Sequence, residues 1–178
     1  KTVDKFKAKN GFVIVMDPRT GEILALASYP KYDLDDFQHV KKDQWRDVSV
    51  NRGVEVAFEP GSTFKIFTAA AVLEEKVVKL NETFDAHHGQ INFAGKILRD
   101  THAYGLLTLP QIIEVSSNIG IYQVAQRLNP KTLYSYIKKF GFGSSTGIEL
   151  PGETPGLVQP VSAWTPLVMS RVAFGQSI

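Results

Sequence analysis

Two residues in Phe58-Glu-Pro-Gly-Ser-Thr-Phe-Lys-Ile-Phe-Thr-Ala-Ala-Ala-Val-Leu-Glu-Glu75 have the types and spacing for nucleophilic chemistry: Ser62 and Lys65. Pro60 and Gly61 break what precedes them, and from Thr63 the segment reads as a long apolar helix running to about Glu75 or Lys76. Ser62 then lies at or just before the first turn, where backbone N–H groups lack intrahelical acceptors and the helix dipole is positive. Lys65 follows on the same helix face as the Ser62 hydroxyl. A serine hydroxyl is a weak nucleophile until a base takes its proton. A lysine desolvated by Phe64, Phe67 and the core behind them has its pKa lowered towards that task. The helix N-terminus favours negative charge on an attacked carbonyl oxygen. Pro-Gly-Ser is also an ordinary helix entry with Ser as N-cap, so these residues need a second element before they count as a site.

Ser116-Ser117-Asn118 supplies one. It falls where two helical patterns meet, so a short polar segment can face a neighbouring helix. A Ser116 hydroxyl there could relay protons between Lys65 and a leaving group, and the Asn118 amide could hold Lys65 or a substrate amide. The competing reading is helix-break chemistry, since Ser and Asn favour caps.

The elements that must position these residues are legible in part. Lys1 to Asn10 is a polar lead-in with Val3 and Phe6 as its apolar anchors. Gly11–Asp17 is rich in β-branched residues, Pro18-Arg-Thr-Gly21 is turn chemistry, and Glu22–Ser28 returns, so residues 11–28 read as a β-hairpin. Lys31 to Val50 reads as a polar, irregular connection. Its aspartates, Asp33, Asp35, Asp36 and Asp43, lack the alternating ligands and glycine of a calcium loop. Residues 82–100 alternate around Gly89 and Gly95 and predict a small exposed hairpin. His87 and His88, adjacent in a strand, would point to opposite faces, which is poor geometry for one metal. Thr108-Leu-Pro-Gln111 carries a capping box with proline in the first turn and predicts a helix start. A second helical run covers 119–128. Asn129-Pro130 opens a third, from Lys131 to Phe140, closed by Gly141. Residues 141–156 are loop-rich with room for one short strand, and Ser162-Ala-Trp-Thr-Pro starts a last short helix.

Bulk properties bound the function. The chain has 178 residues, enough for one domain with a sizeable core, and 43% hydrophobic with 21% charged residues is the balance of a globular protein. A net charge of +2 without a Lys/Arg run argues against nucleic acid as a partner. The absence of cysteine excludes disulfides, thiolate zinc sites and a Cys nucleophile. No run approaches the about 18 apolar residues of a spanning helix. Both ends read as cut.

Taken together, the two motifs are part of the Ser-x-x-Lys and Ser-x-Asn signature of penicillin-binding proteins and related β-lactamases. The chain resembles the transpeptidase domain of a class B penicillin-binding protein from about Lys9 onward. Met16-Asp-Pro-Arg-Thr-Gly-Glu-Ile-Leu-Ala-Leu-Ala-Ser-Tyr-Pro30 is similar to that family's opening hairpin, and Phe58–Lys65 to its nucleophile segment. Tyr104-Gly-Leu-Leu-Thr-Leu, Ser116-Ser-Asn-Ile-Gly120, Gly141-Phe-Gly, Thr146-Gly-Ile-Glu-Leu-Pro-Gly-Glu153 and Phe174-Gly-Gln-Ser177 match further landmarks. The third motif, Lys-Thr-Gly or Lys-Ser-Gly, is absent; in the family its strand follows the Gly-Gln segment, where this chain stops. That strand supplies carboxylate-binding groups and the second oxyanion donor, and losing one such donor typically costs about 10²–10³ in rate.

The resemblance implies an α/β fold of the α+β type: an antiparallel sheet flanked by helices plus a helical subdomain, here incomplete. One partial transpeptidase domain is expected over 1–178, with lead-in 1–10, sheet hairpin 11–28, nucleophile helix 60–76, helical subdomain about 77–140 and loop-rich 141–178. It implies a serine D,D-transpeptidase that cross-links peptidoglycan through an acyl-enzyme on D-Ala-D-Ala stem peptides, is blocked by β-lactams, and serves cell-wall synthesis at the septum. Ser62 would be the nucleophile with its N–H in the oxyanion hole, and Lys65 the base. Ser116 would shuttle a proton to the leaving amine, and Asn118 would position Lys65 and the substrate amide. No cofactor or metal is implied. Implied partners are donor and acceptor stem peptides, β-lactams, and other cell-wall synthesis or divisome proteins. The implied location is the extracytoplasmic face of the bacterial cytoplasmic membrane, with an N-terminal anchor outside this chain. The alternatives are a non-catalytic module of the same fold and a β-lactamase or β-lactam sensor. No Glu-x-x-Leu-Asn for deacylating water is found, and Asn118 stands where a class D enzyme or sensor has a hydrophobic residue.

Overall fold

The computed structural model describes every residue except Lys1, Tyr32, Leu34 and Asp36, so the expectation for Asp36 lies outside the described residues. The chain divides into two compact units, Lys1–Ala57 with Gly147–Thr154, and Phe58–Thr146 with Pro155–Ile178.

In the first unit a short helix α1 (Thr2–Lys5) precedes the hairpin β1 (Gly11–Met16) and β2 (Ile23–Tyr29). The strands pair antiparallel from Gly11↔Tyr29, with an irregularity after Val15. Asp17 closes the connection, its carboxylate taking the backbone N–H and guanidinium of Arg19. The stretch 31–50, expected to be irregular, contains helix α2 (Trp45–Ser49), and helix α3 (Arg52–Glu55) follows it. Gly53 brings α3 close to the hairpin: an added Cβ would lie 3.2 Å from Ile14 Cδ1 and 3.5 Å from Leu26 Cδ1. The Ser28 hydroxyl and the Arg52 guanidinium, which reaches the Asp47 carbonyl at 2.8 Å, tie the same corner. Thr154 joins the unit by donating its N–H to the Val54 carbonyl.

The second unit holds the main core and both motifs. The nucleophile segment opens with a 3₁₀ turn (Gly61–Phe64) that runs into helix α4 (Lys65–Glu74). Strand β3 (Thr83–Asp85) leads to a 3₁₀ turn at His87–Gly89 and the hairpin β4 (Gln90–Phe93), β5 (Lys96–Arg99). The predicted excursion is present, but the histidines sit in the turn rather than in a strand, with φ of 49° and 52°. Strand β6 (Leu106–Thr108) pairs with β3 and feeds helix α5 (Leu109–Glu114) through the predicted Thr108/Gln111 capping box. Helix α6 (Asn118–Ala125) is shorter than its periodicity suggests. Helix α7 (Pro130–Lys139) is capped by Asn129, whose side chain accepts from the Lys131 N–H. Helix α8 (Pro166–Val172) starts at Thr165; among the described residues, 141–156 form no strand.

Fully buried Phe64, Val72, Ile112, Ile121, Val124 and Val172 form the centre of this core. Beside them Phe64, Phe67, Phe140 and Phe142 stack in tilted and edge-on pairs with centroids 4.8–5.5 Å apart. Fully burying Phe64 stabilises the fold by about 1.5–3 kcal/mol, whereas Phe140 stays 48% exposed. Gly141 and Gly143, at φ +87° and +70°, turn the chain so that Phe140 and Phe142 both reach α4.

Candidate active site

Ser62 lies inside the 3₁₀ turn rather than at its cap; the N-cap position belongs to Pro60, with no side-chain cap. In a 3₁₀ turn, side chains at i and i+3 eclipse. The Lys65 N–H bonds the Ser62 carbonyl, so this geometry aligns Ser62 with Lys65. Ser62 is exposed, whereas Lys65 is only 2% exposed. An exposed serine therefore lies one 3₁₀ turn before a buried lysine.

Segment 173–177 braces this turn. Gly61 donates its N–H to the Gly175 carbonyl at 2.9 Å, Thr68 its hydroxyl to the Ala173 carbonyl at 2.9 Å, and Ser177 its N–H to Glu59 at 2.6 Å. Gly175 approaches so closely, at φ +78°, that an added Cβ would meet the Gly61 carbonyl oxygen at 2.3 Å.

The second motif is built from two helix ends. At the end of α5, Ser116 donates its N–H to the Ile113 carbonyl and Ser117 to that of Ile112, which is a Schellman closure. Its left-handed position, ordinarily glycine, is occupied by Ser116 at φ 56°. This turn brings both the carbonyl and the hydroxyl of Ser116 to Lys65, whose Nζ donates to them at 2.5 and 2.9 Å. One residue later Ser117 caps α6, its hydroxyl accepting from the Gly120 N–H at 2.8 Å. Gly120 is required by the close approach of α5, since a Cβ would lie 2.5 Å from Ile112 Cγ1.

Asp100, which the motif reading passed over, closes the site from behind. One carboxylate oxygen accepts the N–H groups of Asn118 (2.5 Å) and Ile119 (3.1 Å), and the other accepts the Ser117 hydroxyl at 2.6 Å. These donors include the first two free N–H groups of α6, where a negative charge is favoured. Asn118 departs from one expected role. Its amide nitrogen donates to the Arg99 carbonyl at 3.0 Å, and the hydrogen bonds of Lys65 go to Ser116 instead. The only sequence signal for Asp100 was its place directly after β5; nothing in its spacing to Ser116 marks it.

Burial pushes the Lys65 amine down from 10.5 to about 8, and the negative charge of Asp100 opposes that shift. At pH 7 roughly a tenth of such a group is neutral, against roughly three in ten thousand for an ordinary lysine. Among the described residues no three His, Asp or Glu side chains cluster as metal ligands. The arrangement comprises an exposed alcohol, a partly neutral amine and a second hydroxyl bonded to that amine. It is suited to acyl transfer.

Residues 11–178 match the family model described as the penicillin binding protein transpeptidase domain. The chain is 37% identical to stage V sporulation protein D of Bacillus subtilis, over 98% of this chain and 27% of that protein. It is 35% identical to the probable peptidoglycan D,D-transpeptidase PenA of Neisseria gonorrhoeae, over 100% of this chain and 30% of that protein. It thus spans less than a third of the length of these curated relatives. Among solved structures, the transpeptidase domain of Burkholderia pseudomallei penicillin-binding protein 3 superposes with a TM-score of 0.83 at 29% identity, covering 98% of this chain and 47% of that one. A peptidoglycan glycosyltransferase from Burkholderia ambifaria superposes at 0.84 with 30% identity, covering 98% and 50%. The mixed helix and sheet architecture expected from the motifs is that of these structures. The chain belongs to the penicillin-binding protein transpeptidase domain family.

Proposed function

We propose that this chain carries the acyl-transfer site of a serine D,D-transpeptidase acting on peptidoglycan stem peptides. The observation that carries the reading is the buried, pKa-lowered Lys65 held 2.9 Å from the Ser116 hydroxyl, one 3₁₀ turn from exposed Ser62.

Neutral Lys65 takes the Ser62 proton as Oγ attacks the carbonyl carbon of the penultimate D-alanine. The developing oxyanion faces the Ser62 N–H, which, early in the turn, has no intrahelical acceptor. On collapse the carbon–nitrogen bond breaks. The departing D-alanine amine receives a proton from the Lys65 ammonium through the Ser116 hydroxyl, regenerating the neutral base. Asn118, its amide nitrogen anchored on Arg99, presents its carbonyl oxygen to the N–H of the bound peptide. The amine of a neighbouring stem then attacks the ester. Its proton leaves by the same route and Ser62 is released, completing a cross-link. A β-lactam enters as the donor does, but its opened ring nitrogen stays tethered and the serine remains blocked.

The reading extends to a septal role in cell-wall synthesis, with divisome proteins as partners, and to action outside the cytoplasmic membrane. The Phe58–Lys65 segment supports the septal part, and the name of one relative, a probable peptidoglycan D,D-transpeptidase, supports cell-wall synthesis. No helix among the described residues is long and apolar enough to cross a membrane. Intact mass before and after incubation of the full-length protein with benzylpenicillin tests the site. A gain of one drug mass that Ser62→Ala abolishes is expected; an alanine variant that still gains it would refute Ser62 as nucleophile.

A further inference from the structure

We propose that Asp100 is a positioning residue of this reaction. Its carboxylate clamps the Ser116–Asn118 junction against Lys65 and supplies the negative charge that balances the ammonium formed when Lys65 takes the Ser62 proton. The inference rests on the acyl-transfer reading above and adds to it a residue outside the recognised motifs.

The clamp is visible in the hydrogen bonds. The α6 start has four N–H groups without intrahelical acceptors, and all four are satisfied locally. Ser117 donates to the Ile112 carbonyl, Asn118 and Ile119 to Asp100, and Gly120 to the Ser117 hydroxyl. The Ser117 hydroxyl, fully buried, donates in turn to the second Asp100 oxygen. Asp100 is itself fixed at the end of the β4–β5 hairpin, its N–H bonded to the Gly89 carbonyl at 3.0 Å. Releasing the carboxylate would strand two N–H groups and a buried hydroxyl immediately after Ser116. The junction that presents the Ser116 oxygens to Lys65 would lose its anchor.

The charge acts on the same pair. Around the start of α4 the neighbouring segments carry Glu59, bound to the Ser177 N–H, Arg99 and Asp100 at the end of the hairpin, and Arg171 on α8. Of these, Asp100 is the group whose charge raises the Lys65 pKa against the effect of burial. An opposite charge within a few ångströms favours the charged form of its neighbour by about 1–3 pKa units. Ammonium formation on Lys65 accompanies nucleophilic attack, so the same charge lowers the barrier to acylation.

The test is the pH dependence of β-lactam acylation in the full-length protein, followed with a fluorescent penicillin for wild type, Asp100→Asn and Ser117→Ala. Asparagine keeps the shape and one acceptor but removes the charge. Its rate–pH midpoint is expected to move down by about one unit while the high-pH plateau falls about tenfold. A residue that only stabilised the fold would lower the rate at every pH and leave the midpoint in place; that result overturns the proposal. Ser117→Ala keeps the charge and loosens the clamp, so its plateau should fall with an unmoved midpoint. If Asp100→Asn does not fold, a wild-type plateau in Ser117→Ala overturns the clamp. Wild-type protein that resists acylation at every pH overturns the acyl-transfer reading and this one together, a result distinct from an unshifted variant.

Discussion

The Lys65 amine donates to both the carbonyl and the hydroxyl of Ser116, 51 positions away in the chain, at 2.5 and 2.9 Å. A single left-handed residue accomplishes this. Ser116 occupies the Schellman position at φ 56°, where its own backbone oxygen and side chain both turn towards α4. Non-glycine residues held in that region carry strain of order 1–3 kcal/mol, and here the strain coincides with the proposed proton relay.

Ser116→Gly separates the two consequences. Glycine removes the hydroxyl and relieves the left-handed strain, so the melting temperature should hold or rise while acylation slows by about 10²–10⁴, the range for loss of a proton-transfer group. Ser116→Ala should lose the same activity without the gain in stability. Wild-type acylation rates in both variants would remove Ser116 from the reaction.

Lys65 makes stability depend on pH with a definite sign. Its folded value is about 8 against an ordinary 10.5. Between those values the unfolded chain binds the proton that the folded chain has released, so stability rises with pH across that window. Below it the buried ammonium costs the folded state ~3 kcal/mol, offset in part by its bonds to Ser116. Lys65→Met should abolish acylation yet melt no lower than wild type at pH 7, with wild type gaining on it between pH 8 and 10.5. A stability difference that stays constant over that range would contradict this account. In wild type the acylation rate should climb through about pH 8 as Lys65 loses its proton.

Gly175→Ala tests the brace behind the nucleophile. A Cβ there would lie 2.3 Å from the Gly61 carbonyl oxygen and 2.6 Å from Phe64 Cβ, at a φ of +78°. Backbone must shift to admit it, with an expected loss of about 2 kcal/mol or more and slower acylation. Thermal melting and penicillin labelling read the two effects; an unaltered protein would mean that segment 173–177 yields freely.

Thr108→Ala is the contrasting case, remote in role from the chemistry. It deletes the capping box at the start of α5, and about 1 kcal/mol of stability should go with it. The acylation rate at a temperature where the variant stays folded should match wild type. A slowed reaction would mean that the start of α5 transmits to its far end at Ser116.

Much of the fold was legible because its signals are local. The Thr108/Gln111 box, the Asn129-Pro130 start and the turn at Ala94-Gly95 act within a few residues and appear as predicted. The spacing of Ser62 and Lys65 is local too, one 3₁₀ turn of backbone. Other features depend on where separate segments meet. The histidine pair falls in a turn because 87–89 must bend between β3 and β4. The Asn118 amide goes to Arg99, and the Asp100 carboxylate to the start of α6, because the β4–β5 hairpin ends there. Residue type and spacing determined which groups could react: a serine, a lysine, a second serine and an asparagine. Tertiary structure decided which of them touch, how far the lysine is desolvated and which carboxylate opposes that desolvation. Burial and Coulomb interactions depend on distance through space, and that distance is set by packing rather than by order along the chain.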